Sequence, residues 1–268
     1  MHRSTQKIVF ADRHLLLISN ELDLDRWKSL GASYMEATCE SEQEITDICG
    51  DAHVVVFVGN DLPLNARVLS RLEECRLILR VGAGFDSVDV EAATQMGIVV
   101  ANCAGYCNED VAMHALTLLL ACSRQIPLRQ LDVIEGRWSH MELEHTTERL
   151  SEMAVGIVGL GRIGGTLAKL LGPLVNQLLA YDPYISNAAA AVSGAQRVSF
   201  DELLEQSDVV SLHVPLNKET RRLIGRRELN LMKPNAYLIN TARGPVVDQP
   251  ALYDALVNKQ LAGAGLDV

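Results

Sequence analysis

The stretch Ala154–Tyr184, AVGIVGLGRIGGTLAKLLGPLVNQLLAYDPY, leaves a chain few ways to fold. Ala154 to Val158 is an apolar run of the kind that makes a strand buried on both faces. Gly159-Leu160-Gly161-Arg162-Ile163-Gly164 follows as a G-x-G-x-x-G turn. Ile163, Leu167, Leu170 and Leu171 then recur at helical spacing, and a second apolar run, Leu178 to Tyr181, ends at Asp182. Strand, glycine turn, helix, strand and acid, in that order, spell a dinucleotide-binding βαβ unit. Gly159 permits the sharp turn. Gly161, without a Cβ, lets backbone approach a pyrophosphate, and Gly164 lets the helix lie close to the strand. The N–H groups at the helix start then face the phosphates. Asp182 lies 18 residues beyond Gly164, where a carboxylate can accept hydrogen bonds from ribose hydroxyls. The same charge repels a 2′-phosphate, which favours NAD over NADP. The competing reading, a glycine-rich turn in an ordinary α/β domain, leaves the acid and the second strand without a reason.

Around this unit β and α patterns alternate. Lys7–Phe10, Ala32–Ala37, His53–Val58, Leu77–Val81 and Ile98–Ala101 read as strands, and Leu15–Ile18 is a further apolar run. Leu22–Leu30, a segment opened by the capping box Ser41–Glu44 and closed near Cys49, Asn65–Cys75, and a segment from Asp89 to Gly97 read as helices. That alternation predicts a small parallel sheet with helices on both faces and no dinucleotide fingerprint of its own. Ala104–Asn108 marks the crossing to a second domain, so the boundary is placed at 103/104. Glu109–Glu135 reads as helical with a break near Pro127, and Gly136–Glu148 as a polar segment with Trp138. Beyond Asp182, strands are expected at Asp208–Val214, Ala236–Ala242 and Gly263–Val268, and helices after Ser199, at Arg226–Met232 and at Asp248–Asn258. Ala188–Ala191 is a loop or short helix.

Composition narrows the function classes. The 268 residues are enough for roughly two domains, and net charge is −10, with a pI near 5.2. No basic stripe is visible, so a nucleic-acid partner is not expected, and no apolar run approaches the ~18 residues of a membrane span. The start is not a signal peptide. The six cysteines form no CxxC pair. They read as thiols of a reducing, cytoplasmic protein rather than as a metal site, and the His140/His145 pair reads as solvated surface.

The stretches RVGAGFDSVD (Arg80–Asp89), GIVVANCAGYCNEDVAMHALTLLLACSRQI (Gly97–Ile126), GIVGLGRIG (Gly156–Gly164), SLHVPLNKET (Ser211–Thr220), LINTARGPVVD (Leu238–Asp248) and GAGLDV (Gly263–Val268) together resemble the D-isomer-specific 2-hydroxyacid dehydrogenases. Met113, where that family often carries an acid before the His-Ala pair, is a small departure. The resemblance implies an α/β fold of two parallel sheets: a Rossmann-type NAD-binding domain, 104–268, and a smaller flavodoxin-like substrate domain, 1–103. It implies hydride transfer between NAD and a small 2-oxo or D-2-hydroxy acid, in a homodimer held through the Glu109–Glu135 region.

Hydride transfer to a 2-oxo acid needs a cation for the carboxylate and carbonyl, and an acid for the new alkoxide. By resemblance Arg243, in NTARG, is the catalytic arginine. Its guanidinium can hold a carboxylate in two-pronged geometry. Arg162 and Ile163 match the pyrophosphate turn. His213, Val214, Pro215, Thr241 and Ala242 match positions lining the cofactor, and Asp267 matches the acid near the nicotinamide carboxamide. Val81, Gly82 and Ala83 match the loop whose N–H groups receive the substrate carboxylate, with Gly82 and Gly84 keeping that backbone uncovered. The family's glutamate and histidine, the acid–base pair, follow GLDV and are not in this sequence. The expectation is therefore a fragment of a longer dehydrogenase, or else a truncated, impaired form. His213 is the positional candidate for a substitute, and an NAD(H)-sensing, corepressor-like scaffold is the alternative function.

Overall fold

The computed structural model describes residues 6–12, 24–59, 64–137 and 149–268. The run at 15–18, residues 60–63, Trp138 and the His140/His145 pair lie outside the described residues. The chain divides into two units, Met1–Tyr106 and Cys107–Val268.

In the first unit five strands, β1 (Gln6–Phe10), β2 (Ala32–Glu36), β3 (Val54–Phe57), β4 (Leu77–Arg80) and β5 (Val99–Asn102), pair in the order β2-β1-β3-β4-β5, all parallel. This is the flavodoxin-like order. Helices α1 (Leu24–Ser29), α2 (Glu42–Cys49), α3 (Ala66–Leu69) and α4 (Val90–Gln95) connect the strands. Val9, Val55, Ile78, Leu69 and Ala93 are at most 1% exposed and centre its core. Ser41 caps α2 by accepting from the Glu44 N–H at 3.3 Å, while the Glu44 carboxylate accepts from the Glu40 N–H at 2.6 Å. Asp89 caps α4, and Gly97 ends that segment at a φ of 73°.

The helix expected over Asn65–Cys75 is corrected to a single turn, α3. Beyond it the N–H groups of Arg71, Leu72 and Cys75 bond three residues back. This tighter winding carries Leu72 and Cys75 into the core, at 2% and 7% exposure, and brings the Arg76 N–H onto His53 O.

The second unit opens with α5 (Asn108–Ser123) and α6 (Ile126–Ile134). They are bent by 59°. The break falls at Gln125, which is left-handed (φ 53°), and Pro127 sits in the first turn of α6, where its missing N–H costs nothing. Among the described residues, no single helix is long and apolar enough to cross a membrane.

Then come β6 (Ala154–Val158), α7 (Arg162–Leu171), β7 (Gln177–Tyr181), α8 (Asn187–Val192), β8 (Gln196–Arg197), α9 (Phe200–Gln206), β9 (Val209–Leu212), α10 (Arg226–Leu231), β10 (Tyr237–Asn240), α11 (Gln249–Val257) and β11 (Gly263–Leu266). Six parallel strands order as β11-β10-β9-β6-β7-β8. Numbered within the unit, this is 3-2-1-4-5-6 read from β8, the doubly wound dinucleotide-binding order.

Side-chain alternation splits its core. Val155, Ile157, Tyr237 and Ile239 face α5 and α7, while Val158, Leu179, Val210, Leu212 and Leu238 face α9, α10 and α11. All five residues of β6 are buried, and Leu167 and Leu171 of α7 are fully so. The reciprocal Ser199/Glu202 box opens α9, and Ser186 caps α8 over the alanine run.

Candidate functional site

The glycine turn leaves β6 at the C-terminal edge of the sheet, where ligands bind in doubly wound folds. Its three glycines answer three different constraints. Gly159 has a φ of 89°, and a Cβ there would stand 2.8 Å from His213 O, so β9 runs hard against the turn. A Cβ on Gly164 would collide with the Gly159 carbonyl oxygen. Gly161 has no atom within 4 Å of its would-be Cβ among the described residues, so an incoming ligand is what needs its bareness. Gly161 is also the N-cap of α7, and no side chain caps that helix. The N–H groups of Arg162, Ile163 and Gly164 therefore point outward without intrahelical acceptors. Ile163 packs onto the core while Arg162 is exposed.

Asp182 ends β7 beside that turn. Its Oδ2 accepts from the Leu160 N–H at 3.0 Å and its Oδ1 from the Tyr184 N–H at 2.9 Å. Two backbone donors thus fix the carboxylate, and each oxygen keeps a lone pair for a ribose hydroxyl.

The ends of β9, β10 and β11 supply the other half of the edge. Val214 lies against the Gly159 turn, 3.0 Å from its would-be Cβ, and Pro215 follows it into solvent. His213 Nε2 sits 2.8 Å from Ser211 Oγ. Desolvation pushes the His213 pKa down to about 4, so the ring is neutral at pH 7. The N–H that a neutral imidazole keeps is a far weaker acid than an imidazolium, which weighs against His213 as the substitute acid.

At the end of β10, Thr241 is buried and its Oγ1 has no hydrogen-bond partner among the described residues. Arg243 is half-buried, and its guanidinium donates to Ala242 O at 2.7 Å. Asn240, 1% exposed, donates to Arg243 O at 2.9 Å and accepts from the Ala242 N–H at 3.0 Å. One buried amide therefore shapes the turn that carries Arg243. Sequence reasoning passed over Asn240, although a buried polar residue ending the apolar run YLIN is a legible signal.

Asp267 follows β11. Its N–H donates to Asn240 O at 3.0 Å, and its Oδ1 lies 3.3 Å from Nε2 of His114 on α5. His114 was also missed, because it is 153 positions away in sequence.

The open face at Gly161, the uncapped helix start and the orphaned Thr241 hydroxyl along one sheet edge fit a dinucleotide. No group of three or more His, Cys, Asp or Glu placed to hold a metal occurs among the described residues.

The loop after β4, in the first unit, departs from expectation. The Val81 N–H is spent on Phe57 O at 2.8 Å and the Gly82 N–H on Arg80 O at 2.9 Å. Ala83 O accepts from Asn102 Nδ2 at 2.7 Å. The space beside Gly82 is not left uncovered: a Cβ there would run into the guanidinium of buried Arg80, which bonds Val81 O at 2.7 Å and lies over the Phe57 ring. Gly82 thus accommodates the protein's own arginine. Of the four N–H groups of Val81–Gly84, those of Ala83 and Gly84 have no backbone acceptor among the described residues.

Comparison with known proteins agrees with this geometry. Residues 116–268 match the family model described as D-isomer specific 2-hydroxyacid dehydrogenase, NAD binding domain. A D-3-phosphoglycerate dehydrogenase of Archaeoglobus fulgidus is 39% identical over 213 residues, 80% of this chain and 40% of that protein. The chain thus spans about 40% of the length of the phosphoglycerate dehydrogenases it matches. A glyoxylate reductase of Korarchaeum cryptofilum is 36% identical over 261 residues, 96% of this chain and 76% of that protein. Among solved structures, a D-lactate dehydrogenase from Aquifex aeolicus complexed with NAD and lactic acid superposes with a TM-score of 0.85 at 29% identity, covering 98% of this chain and 77% of that one.

Proposed function

Since the chain belongs to the D-isomer-specific 2-hydroxyacid dehydrogenase family, with an NAD-binding domain over residues 116–268, we propose that it serves hydride transfer between a nicotinamide cofactor and C2 of a small 2-oxo or D-2-hydroxy acid. The observation that carries this reading is a single sheet edge holding both the open glycine turn and the Asn240-braced arginine turn.

NAD, when bound, supplies the hydride acceptor or donor. Asp182, with its two oxygens already fixed by backbone, takes the adenosine ribose and disfavours a 2′-phosphate by charge. Gly159, Gly161, Arg162, Ile163 and Gly164 take the pyrophosphate, and Val214, Pro215, Thr241 and Ala242 line the remainder. Arg243 holds the substrate carboxylate and polarises the C2 carbonyl, stabilising the alkoxide as it forms. The resemblance gives the proton for the alkoxide to a glutamate–histidine pair, which is not among the residues of this sequence.

Ile126, Leu128, Leu131, Val133 and Ile134 of α6 are each more than half exposed. That apolar face supports a homodimer, to be checked by analytical ultracentrifugation. All six cysteines are free thiols, which supports a reducing, cytoplasmic setting.

The test of function is NADH oxidation with glyoxylate, hydroxypyruvate, pyruvate and 3-phosphohydroxypyruvate, using the protein purified from its natural source. Turnover with one of them, abolished by Arg243→Gln while NADH still binds, is the expected result. NADH binding without turnover of any of the four would favour the NAD(H)-sensing scaffold instead.

A further inference from the structure

His114 and Asp267 meet because of how α5 lies on β11. A Cβ on Gly265 would stand 3.0 Å from Leu118 Cβ and 2.9 Å from Ile239 Cδ1, with Cys122 Sγ at 3.3 Å. The bare glycine lets helix and strand approach closely. His114, Leu118 and Cys122 form one helical stripe at four-residue steps, and Gly265 and Asp267 share one face of the strand path at a two-residue step. Running antiparallel, the next turn of α5 beyond Leu118 delivers His114 to Asp267, with Nε2 at 3.3 Å from Oδ1. Both side chains remain 47% exposed, so the pair faces solvent at the ligand edge rather than filling the core.

Its position along that edge is informative. The glycine turn and Asp182 belong to the half of the sheet built from β6, β7 and β8, which takes the adenosine side of a dinucleotide. The ends of β9, β10 and β11 belong to the second half, which takes the nicotinamide side. Asp267 is at the end of β11, its backbone tied to Asn240 O.

We propose that His114 is a positioning residue for the nicotinamide end of the site: its imidazole fixes Asp267 Oδ1 and leaves Oδ2 presented to the cofactor's carboxamide. The 3.3 Å approach of Nε2 to Oδ1 holds the carboxylate by a polar contact and limits how it can turn. Without it, the carboxylate of an exposed aspartate turns freely and must be ordered each time a cofactor binds. The proposal rests on the NAD-binding reading above.

The test compares two probes on the purified chain by calorimetry: NADH, and ADP-ribose, which lacks the nicotinamide ring. His114→Leu is expected to weaken NADH about fivefold, the loss of one polar contact, and to leave ADP-ribose within about twofold. His114→Gln, which keeps a donor, recovers part of the NADH affinity. In an Asp267→Ala background His114→Leu adds nothing further. Gly265→Ala, which wedges α5 off the strand, reproduces the same selective loss. Equal weakening of NADH and ADP-ribose by His114→Leu would assign the histidine a merely structural role and overturn the proposal, as would no change in either. Wild-type chain that binds neither probe would instead remove the NAD-binding reading beneath it.

Discussion

Gly82 and Gly161 both sit just past the end of a parallel strand, in the two different units, yet their empty spaces are used in opposite ways. Beside Gly82 the space is taken by the guanidinium of Arg80, and the Val81 and Gly82 N–H groups are already bonded. Beside Gly161 nothing lies within 4 Å among the described residues, and the N–H groups that follow are unspent. One space is filled from within the protein, the other is kept open. Two doubly wound sheets can thus share a scaffold while their strand-end glycines serve internal packing in one and an incoming phosphate in the other.

The largest test of this contrast lies inside the glycine turn. Gly164→Ala drives a Cβ into Gly159 O and is expected to cost about 3 kcal/mol or more in urea unfolding. Gly161→Ala is expected to cost under about 1 kcal/mol yet to weaken NADH binding at least about tenfold, because its methyl enters the ligand's space. If the two variants lose stability alike, the open-space reading of Gly161 is wrong.

Two asparagines extend the comparison. Asn240→Ala leaves Arg243 O and the Ala242 N–H unmet in a buried turn, at about 2 kcal/mol, and should raise KM for the oxo acid more than for NADH. Asn102→Ala releases only Ala83 O, at about 1 kcal/mol.

Acid sharpens the contrast from another side. The folded His213 pKa, about 4, lies below the unfolded value of 6.5. The unfolded chain therefore binds the extra proton between these values, and stability falls as pH drops from about 6.5 to about 4. For a half-buried ring the loss is on the order of 1–2 kcal/mol. Urea midpoints for wild type and His213→Gln should diverge across that window and run parallel above pH 7. The smallest effect is expected at Gly82→Ala, at about 1 kcal/mol. It should shrink in an Arg80→Ala background, where the guanidinium that blocks the methyl is gone.

The second unit was the more legible in sequence because its constraints are local and steric. Each glycine of the turn, the all-apolar β6 and Asp182 leave marks within thirty residues of one another. The α3 segment misled because NARVLSRLEEC has ordinary helix formers throughout. What ends the helix is the demand that Leu72 and Cys75 enter the core, and a propensity scale does not contain that demand. The two-residue β8 was invisible since Gln196 and Arg197 are exposed and polar, without an apolar period to betray a strand. Within the site, the residue types were readable but their mutual support was not. Asn240 bracing Arg243, Arg80 filling the gap at Gly82 and His114 meeting Asp267 are contacts that only packing reveals.

The order of the six strands also places the glycine turn where the sheet is held from both sides. β6, which launches that turn, is flanked by β7 and β9. A central strand opens at greater cost than the loops that leave it, so the pyrophosphate cradle is standing before a dinucleotide arrives. Amide hydrogen exchange along β6 should barely change on NADH binding, while exchange at Arg162, Ile163 and Gly164 at the start of α7 should slow markedly.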